Sequence, residues 1–231
     1  MRNCILSFLL ITGLMPTTYA LADGNDGNRY SNILPREYRA EISASRSYLV
    51  TRDRRFRSHH RKHHDDGDHK PIIIDVRTVE EYVGGHPPGA YSIPFPHIYN
   101  RQRDPAKGEY IPADPEDFVE AVEALDLPKD TLIITMCRTG YRSVLAANLL
   151  ARAGYTNVHN MWEGFVGRLK VNLVGDFVDL DGDGVIDGSD PYSGDRDGWA
   201  NFAALPVSYK LKHRLLYKPY MYLYYSVTGE R

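Results

Sequence analysis

Apolar and polar positions along the chain change period repeatedly, and the changes predict strands and helices in turn. Residues 72–76 (IIIDV) and 132–136 (LIITM) are short, nearly continuous apolar runs rich in β-branched side chains. That is the pattern of strands buried on both faces of a parallel sheet. Shorter strands are expected at 38–42, 91–93 and 157–161. Between them the spacing turns helical. Ser43 can cap a helix over 44–50, and Thr78 one running through Glu81, with Glu80 and Glu81 near its positive end. Asp114, followed by Pro115, starts a helix to about Leu125. Residues 143–153 form an amphipathic helix stopped by Gly154. Residues 95–112 read as a long connection with turns at Asp104-Pro105 and Lys107-Gly108, forming one wall of a pocket. Strands alternating with helices predict an α/β fold, a doubly wound parallel sheet flanked by helices.

The strand at 132–136 runs directly into residues 137–142, CRTGYR, and then into the helix. Cys137 therefore stands at the carboxyl end of a buried strand, where open parallel sheets place ligands. It faces a helix N-terminus, whose N–H groups are unpaired and whose dipole is positive, a field that favours a thiolate. Arg138 and Arg142 add positive charge. Gly140 permits the positive φ that a loop turning its N–H groups inward needs. Thr139, Tyr141 and Ser143 complete the expected substrate-binding loop. A buried, inert cysteine is the plainer reading of a Cys after a strand. Two arginines and a glycine in the following five residues weigh against it. The nucleophilic reading requires a sulfur open to solvent and amides aimed at it.

CRTGYRS, together with IIIDVRTVEEYVGGHPPGAYSIP at 72–94, resembles a rhodanese-type sulfurtransferase domain over roughly residues 39–167. The resemblance implies a rhodanese-like fold, a covalent persulfide on Cys137, and framework roles for Asp75, Arg77 and His86 at the mouth of the site. The residue types fit such roles. Asp75 and Arg77 can form an ion pair that orders the loop, and the His86 ring can bond backbone in a turn stiffened by two prolines. From Cys137 to Arg142 the loop has the six residues of the sulfurtransferases. Related dual-specificity phosphatases use one residue more, which makes room for a phosphate. Family members often carry two glycines after the last strand, where this chain has Glu163-Gly164. Trp162 beside them either borders the pocket or packs in the core.

Composition changes this picture little. At 42% hydrophobic and 25% charged residues the chain is of soluble globular type, and a net charge of −2 gives no reason to expect nucleic acid or an anionic membrane. The N-terminus changes it more. Arg2, an apolar stretch at 4–15 and Ala20-Leu21-Ala22 form the pattern of a signal peptide over 1–22, cleaved after Ala22. An uncleaved anchor is the alternative. A periplasmic or secreted protein follows, with no stable membrane insertion after cleavage. Cleavage removes Cys4 and leaves Cys137 as a lone thiol, which a persulfide-forming nucleophile would explain.

The mature chain divides into a flexible segment at 23–38, the rhodanese-like domain at 39–170 and a C-terminal extension at 171–231. Within the domain, 52–70 is a polar insertion holding His59, His60, His63, His64 and His69 among Asp65, Asp66 and Asp68. It is either a transition-metal site or a solvated loop, and its lack of any packing signal favours the loop. Residues 179–190, DLDGDGVIDGSD, match an EF-hand-type calcium loop. Asp179, Asp181, Asp183, the Val185 carbonyl, Asp187 and Asp190 are the expected Ca²⁺ ligands, with Gly184 at the sharp turn. Asp190 stands where Glu is usual, and its shorter arm weakens bidentate ligation. A linker rich in Asp and Gly is the alternative. The Tyr- and Lys-rich arm after Trp199 is expected to pack on the domain rather than on a membrane surface.

The combined expectation is a sulfurtransferase. It would take a sulfane sulfur from thiosulfate or a similar small anion and pass it to a thiol or cyanide through Cys137. It would need no organic cofactor, and Ca²⁺ would be structural. A phosphatase or arsenate reductase using the same loop, and a non-enzymatic module binding a sulfur carrier or redox partner, are the rivals. The sequence leaves the oligomeric state open.

Overall fold

Strands that read as continuous apolar runs sit at the centre of the sheet, as their burial on both faces requires. The structure, a computed structural model, describes residues 35–52, 69–100, 110–187 and 193–228. The expected signal segment, residues 23–32, the histidines from His59 to His64, and Asp190 lie outside the described residues. Strands β1 (Ala40–Ile42), β2 (Ile72–Asp75), β3 (Tyr91–Ser92), β6 (Ile133–Met136) and β7 (Val158–Met161) form one parallel sheet in the order β1-β7-β6-β2-β3. The two apolar runs are direct neighbours, with Ile72 opposite Ile133 and Ile73 opposite Ile134. All four residues of each are buried.

The period-two alternation of these strands sends side chains to two different cores. Ile72, Ile74, Ile133 and Val158 meet Phe118 and Val122 of helix α3 (Pro115–Glu123) and Val144, Ala147 and Leu150 of helix α4 (Tyr141–Arg152). Ile73, Ile134, Met136 and Met161 face the other way, toward Val50 of helix α1 (Ala44–Arg52) and toward Trp199. The doubly wound α/β arrangement is thus present. Helix α3 starts as the sequence predicts, with Asp114 accepting the Glu116 N–H at 2.7 Å and proline in the first turn.

Within the rhodanese-length core of the chain, two elements differ from the expectation. The connection at 95–112 carries an antiparallel hairpin, β4 (His97–Asn100) with β5 (Tyr110–Pro112), not turns alone. Its short strands lie outside the main sheet and have no long apolar run to announce them. Helix α4 begins at Tyr141, two residues ahead of expectation, because Gly140 (φ +94°) makes the turn that a helix start needs.

The C-terminal extension is woven into the domain. Trp199 is fully buried in the second core, its backbone N–H donates to Gly164 at 3.0 Å and its indole N–H to Pro206 at 2.9 Å. His86 and Ser208 then exchange both backbone hydrogen bonds, at 3.0 and 2.8 Å. The described residues end in helix α5 (Met221–Thr228), an element the sequence does not predict. There Tyr224 packs edge-on to Tyr82 of helix α2 (Val79–Val83), with its hydroxyl 2.7 Å from Ser92 Oγ. Among the described residues no helix is long and apolar enough to cross a membrane. Trp199→Ala empties a core position held by backbone on both sides. It should lower unfolding free energy by ~3–5 kcal/mol in urea titration; a loss below about 1 kcal/mol would mean the extension is not part of the cooperative unit.

Candidate functional site

The sulfur of Cys137 lies where strand β6 hands over to helix α4. Two donors converge on it: the Gly140 N–H at 3.1 Å and the Ser143 hydroxyl at 3.4 Å. Ser143 also reaches the Gly140 carbonyl at 3.1 Å, and its own carbonyl accepts from Thr135 Oγ1 at 3.0 Å, which fixes the first turn of α4. The inward amide that the sequence predicts is therefore present at Gly140. Solvent access is not: Cys137 is 1% exposed. Arg138 is exposed, Thr139 is half-buried and Tyr141 is 39% exposed, so these residues line the outer side of the turn.

Arg142 is engaged elsewhere. Its guanidinium forks onto Glu81 of α2, Nη1 to Oε2 at 2.6 Å and Nη2 to Oε1 at 2.9 Å. Glu81 also accepts the Thr78 backbone N–H at 3.1 Å, the capping-box bond that starts its own helix. Burial alone would raise the Glu81 carboxyl. The Arg142 fork, with help from Arg77 and the Thr78 N–H, outweighs it and holds the group at about 2. Glu81 is the site residue that sequence reasoning underused. Its place three residues after Thr78 marked it as a cap, and nothing local marked its partner 61 positions away.

Asp75, Arg77 and His86 form a buried scaffold beside this pair. Arg77 Nε and Nη2 bond Asp75 Oδ1 and Oδ2 at 2.9 and 2.6 Å. The same Nη2 donates to the Gly85 carbonyl at 2.7 Å, and the guanidinium lies 3.9 Å from the centre of the Phe165 ring. His86 stacks on Tyr82 at 3.7 Å between centroids, with Nδ1 2.9 Å from the Tyr82 carbonyl. These are the ion pair and the backbone-bonded ring that the residue types suggest.

Residues 162–167 close the site from the other side as a bracket. The Cys137 carbonyl accepts the Phe165 N–H at 2.8 Å, and the Arg138 carbonyl accepts those of Val166 and Gly167 at 3.0 and 3.1 Å. The approach is so close that a Cβ on Gly164 (φ +73°) would come within 2.7 Å of the Cys137 carbonyl oxygen, and one on Gly140 would strike the Trp162 carbonyl. Trp162 itself is half-buried, with the Lys170 ammonium 4.4 Å from its ring centre, so it is not a core residue.

A Rhodanese-like domain model matches residues 58–169. A protein of Rickettsia prowazekii is 32% identical over 97 residues, covering 42% of this chain and 71% of that one. A chloroplastic thiosulfate sulfurtransferase of Arabidopsis thaliana is 32% identical over 100 residues, covering 43% of this chain and 75% of that one. This chain belongs to the rhodanese-like family. The structure of a rhodanese-like domain from Anabaena is 19% identical, covers 75% of this chain and 94% of that one, and superposes with a TM-score of 0.34. Membership and the sulfurtransferase relatives together support a sulfurtransferase-type enzyme.

Outside the rhodanese-like domain, the acidic loop is partly gathered. Ligand atoms of Asp179, Asp181 and Asp183 lie within 4.8 Å of one another, and Asp187 does not join them. Asp179 accepts the N–H groups of Gly182 and Gly184, at 2.6 and 2.8 Å. Asp195, which the sequence reading passes over, is buried and ties the loop's two ends. It accepts the N–H of Leu180 and of Asp187, each at 2.8 Å.

The depressed carboxyl of Glu81 has a pH consequence. A carboxyl lowered by folding stabilises above its unfolded value near 4.5, and that contribution fades as pH falls toward about 2. Glu81→Gln should cost about 2–3 kcal/mol at neutral pH and flatten the loss of stability between those values. Urea titrations across the acid range would refute this if the two proteins kept parallel slopes.

Proposed function

We propose that this protein is an exported sulfurtransferase that carries a sulfane sulfur on Cys137, taking it from thiosulfate or a similar small anion. The observation that supports this best is the convergence of the Gly140 N–H and the Ser143 hydroxyl on Cys137 Sγ at the end of a central strand. A thiolate there attacks the outer sulfur of the donor. The S–S bond of the donor breaks, sulfite leaves with the electron pair, and Cys137 becomes a persulfide. A thiol or cyanide then attacks the outer persulfide sulfur and returns the thiolate.

Charge at the loop divides between two arginines. Arg142 is neutralised by Glu81 and sets the position of the turn. Arg138, exposed, is left to attract the anion, and the Gly140 N–H, aimed at the sulfur, stabilises the charge the reaction places there. Asp75, Arg77 and His86 keep the surroundings rigid. The sulfur is 1% exposed, contrary to the solvent access the nucleophilic reading expects, so this chemistry requires the outer side of the turn at Arg138 and Thr139 to move aside for the donor. Export rests on the basic, apolar and Ala20-Leu21-Ala22 pattern of residues 1–22.

Ca²⁺ fits the donor chemistry of the acidic loop. Asp179, Asp181 and Asp183 are close enough to share one ion, and repel one another without it. The Val185 carbonyl, Asp187 and Asp190 would complete the shell expected from the spacing, with Asp187 moving inward to join. The ion's role is to clasp the extension, away from the chemistry.

Mass spectrometry of the protein incubated with thiosulfate should find one added sulfur, absent from Cys137→Ser. No adduct with any sulfane donor would favour a binding module, and Cys137-dependent hydrolysis of an aryl phosphate would favour the phosphatase. Calcium at about a hundred times its Kd should raise unfolding free energy by ~2.7 kcal/mol, and Asp181→Asn should remove the gain. Equal melting temperatures in calcium and in chelator would dispose of the clasp.

A further inference from the structure

Where the family often carries a glycine, this chain has Glu163, in the middle of the segment that grips the Cys137 turn. Its Oε2 accepts the backbone N–H of Ala44, the first residue of α1. That bond ties the bracket to the opposite edge of the sheet, where the Trp162 N–H also reaches the Ile42 carbonyl at 3.4 Å. From its two sides Glu163 thus links α1 to residues whose N–H groups hold the carbonyls of Cys137 and Arg138. We infer that Glu163 is a positioning residue for the sulfur chemistry: its carboxylate anchors the bracket at 162–167 and so fixes where the Cys137 turn sits. The inference rests on the proposed sulfur transfer at Cys137.

The charge of the anchor matters because of what surrounds it. Ala44 contributes the positive end of a helix dipole, where a carboxylate binds more strongly than a neutral acid. Asp197, from the extension, repels the charge, and Lys170 attracts it. Lys170 is shared, bonded to Asp197 at 2.7 Å and seated over the Trp162 ring. Burial is the largest influence, and despite the Ala44 bond it pushes the Glu163 carboxyl up to about 7. The anchor therefore gains its charge across the neutral range. As a carboxyl raised by folding, it makes stability fall as pH rises from about 4.5 to 7, and opening of the bracket, which returns the charge to water, becomes easier over the same range.

Two variants and two readouts test this on the full chain. Glu163→Ala removes the tie; Glu163→Gln keeps an acceptor of the same shape and removes the charge. Amide hydrogen exchange at residues 165–167, corrected for intrinsic rate, should be about fivefold faster in Glu163→Ala than in the native chain near pH 4.5. It should quicken several-fold in the native chain as pH rises from about 4.5 through 7, because opening returns the carboxylate to water, and stay flat in Glu163→Gln. Turnover of thiosulfate should follow the same order, with kcat about fivefold lower in Glu163→Ala and KM within twofold. If Glu163→Ala does not fold, the flat exchange and turnover profiles of Glu163→Gln carry the test. Native-like exchange in Glu163→Gln, or faster exchange with unchanged kcat and pH profile, would overturn the positioning role. An inactive native protein would instead reject the sulfurtransferase reading, and exchange at 165–167 would still report on the anchor.

Discussion

The carbonyl oxygens of Cys137 and Arg138 accept hydrogen bonds from Phe165, Val166 and Gly167, and the position of the sulfur depends on those bonds. A turn that aims its N–H groups inward must send carbonyls outward, and buried carbonyls need donors. The bracket supplies them. Contact is close enough to demand glycine on both partners, Gly140 in the turn and Gly164 in the bracket. A side chain at either would push the two segments apart and release the sulfur from its donors. Ser143, Thr135 and the fork between Arg142 and Glu81 then hold the helix that follows. The sulfur is thus placed by backbone geometry, with side chains bracing that geometry from outside.

The bracket is itself held from three directions. Ile42 and Ala44 bind it from β1 and α1, Arg77 lies over its Phe165 ring, and Trp199 and Ala200 donate to the carbonyls of Gly164 and Phe165. The last contact ties the site to the C-terminal extension. Between bracket and Trp199 the chain makes an excursion whose neck is fastened: Arg168 and Asp197 exchange hydrogen bonds at 2.7 and 3.1 Å, and Leu169 bridges to Arg196. Closing such an excursion costs chain entropy that the neck must offset. A calcium clasp at 179–187, as proposed, would reduce that cost by ordering the excursion from within. It would act on the sulfur site through the contacts of Asp197, Trp199 and Ala200 with the bracket.

Legibility in the sequence followed locality. Residues 72–76 and 132–136 announced their strands because both faces are buried, and period and composition agree there. Cys137, Gly140 and the helix after them were legible because strand, turn and helix are contiguous. The β4–β5 hairpin was not, since two short strands away from the main core carry no apolar run. Arg142 was read as a charge on the loop because its neighbours in sequence are loop residues; its partner Glu81 lies on another helix. The burial of Cys137 was equally hidden, because the bracket that covers its carbonyl side arrives more than twenty residues later. Trp199 and Tyr224 belong to an arm that the sequence expects to pack on the domain, and only the fold reveals that they are core.

Burial of the sulfur and neutralisation of Arg142 bear together on which donors the site can serve. On the proposed chemistry, a sulfur with 1% exposure would meet only what fits past a turn moved aside, and the turn is six residues long. With Arg142 committed to Glu81, the arginine of the loop left free of that pair is Arg138, less than a loop needs to grip a dianionic phosphoryl group from several sides. A sulfane sulfur makes a smaller demand. It is the terminal atom of its donor, so it can reach the thiolate while the charged sulfonate stays outside, near Arg138. On the proposed chemistry the closed sulfur is then a filter: slender donors reach it end-on, and tetrahedral oxyanions that must be enclosed do not.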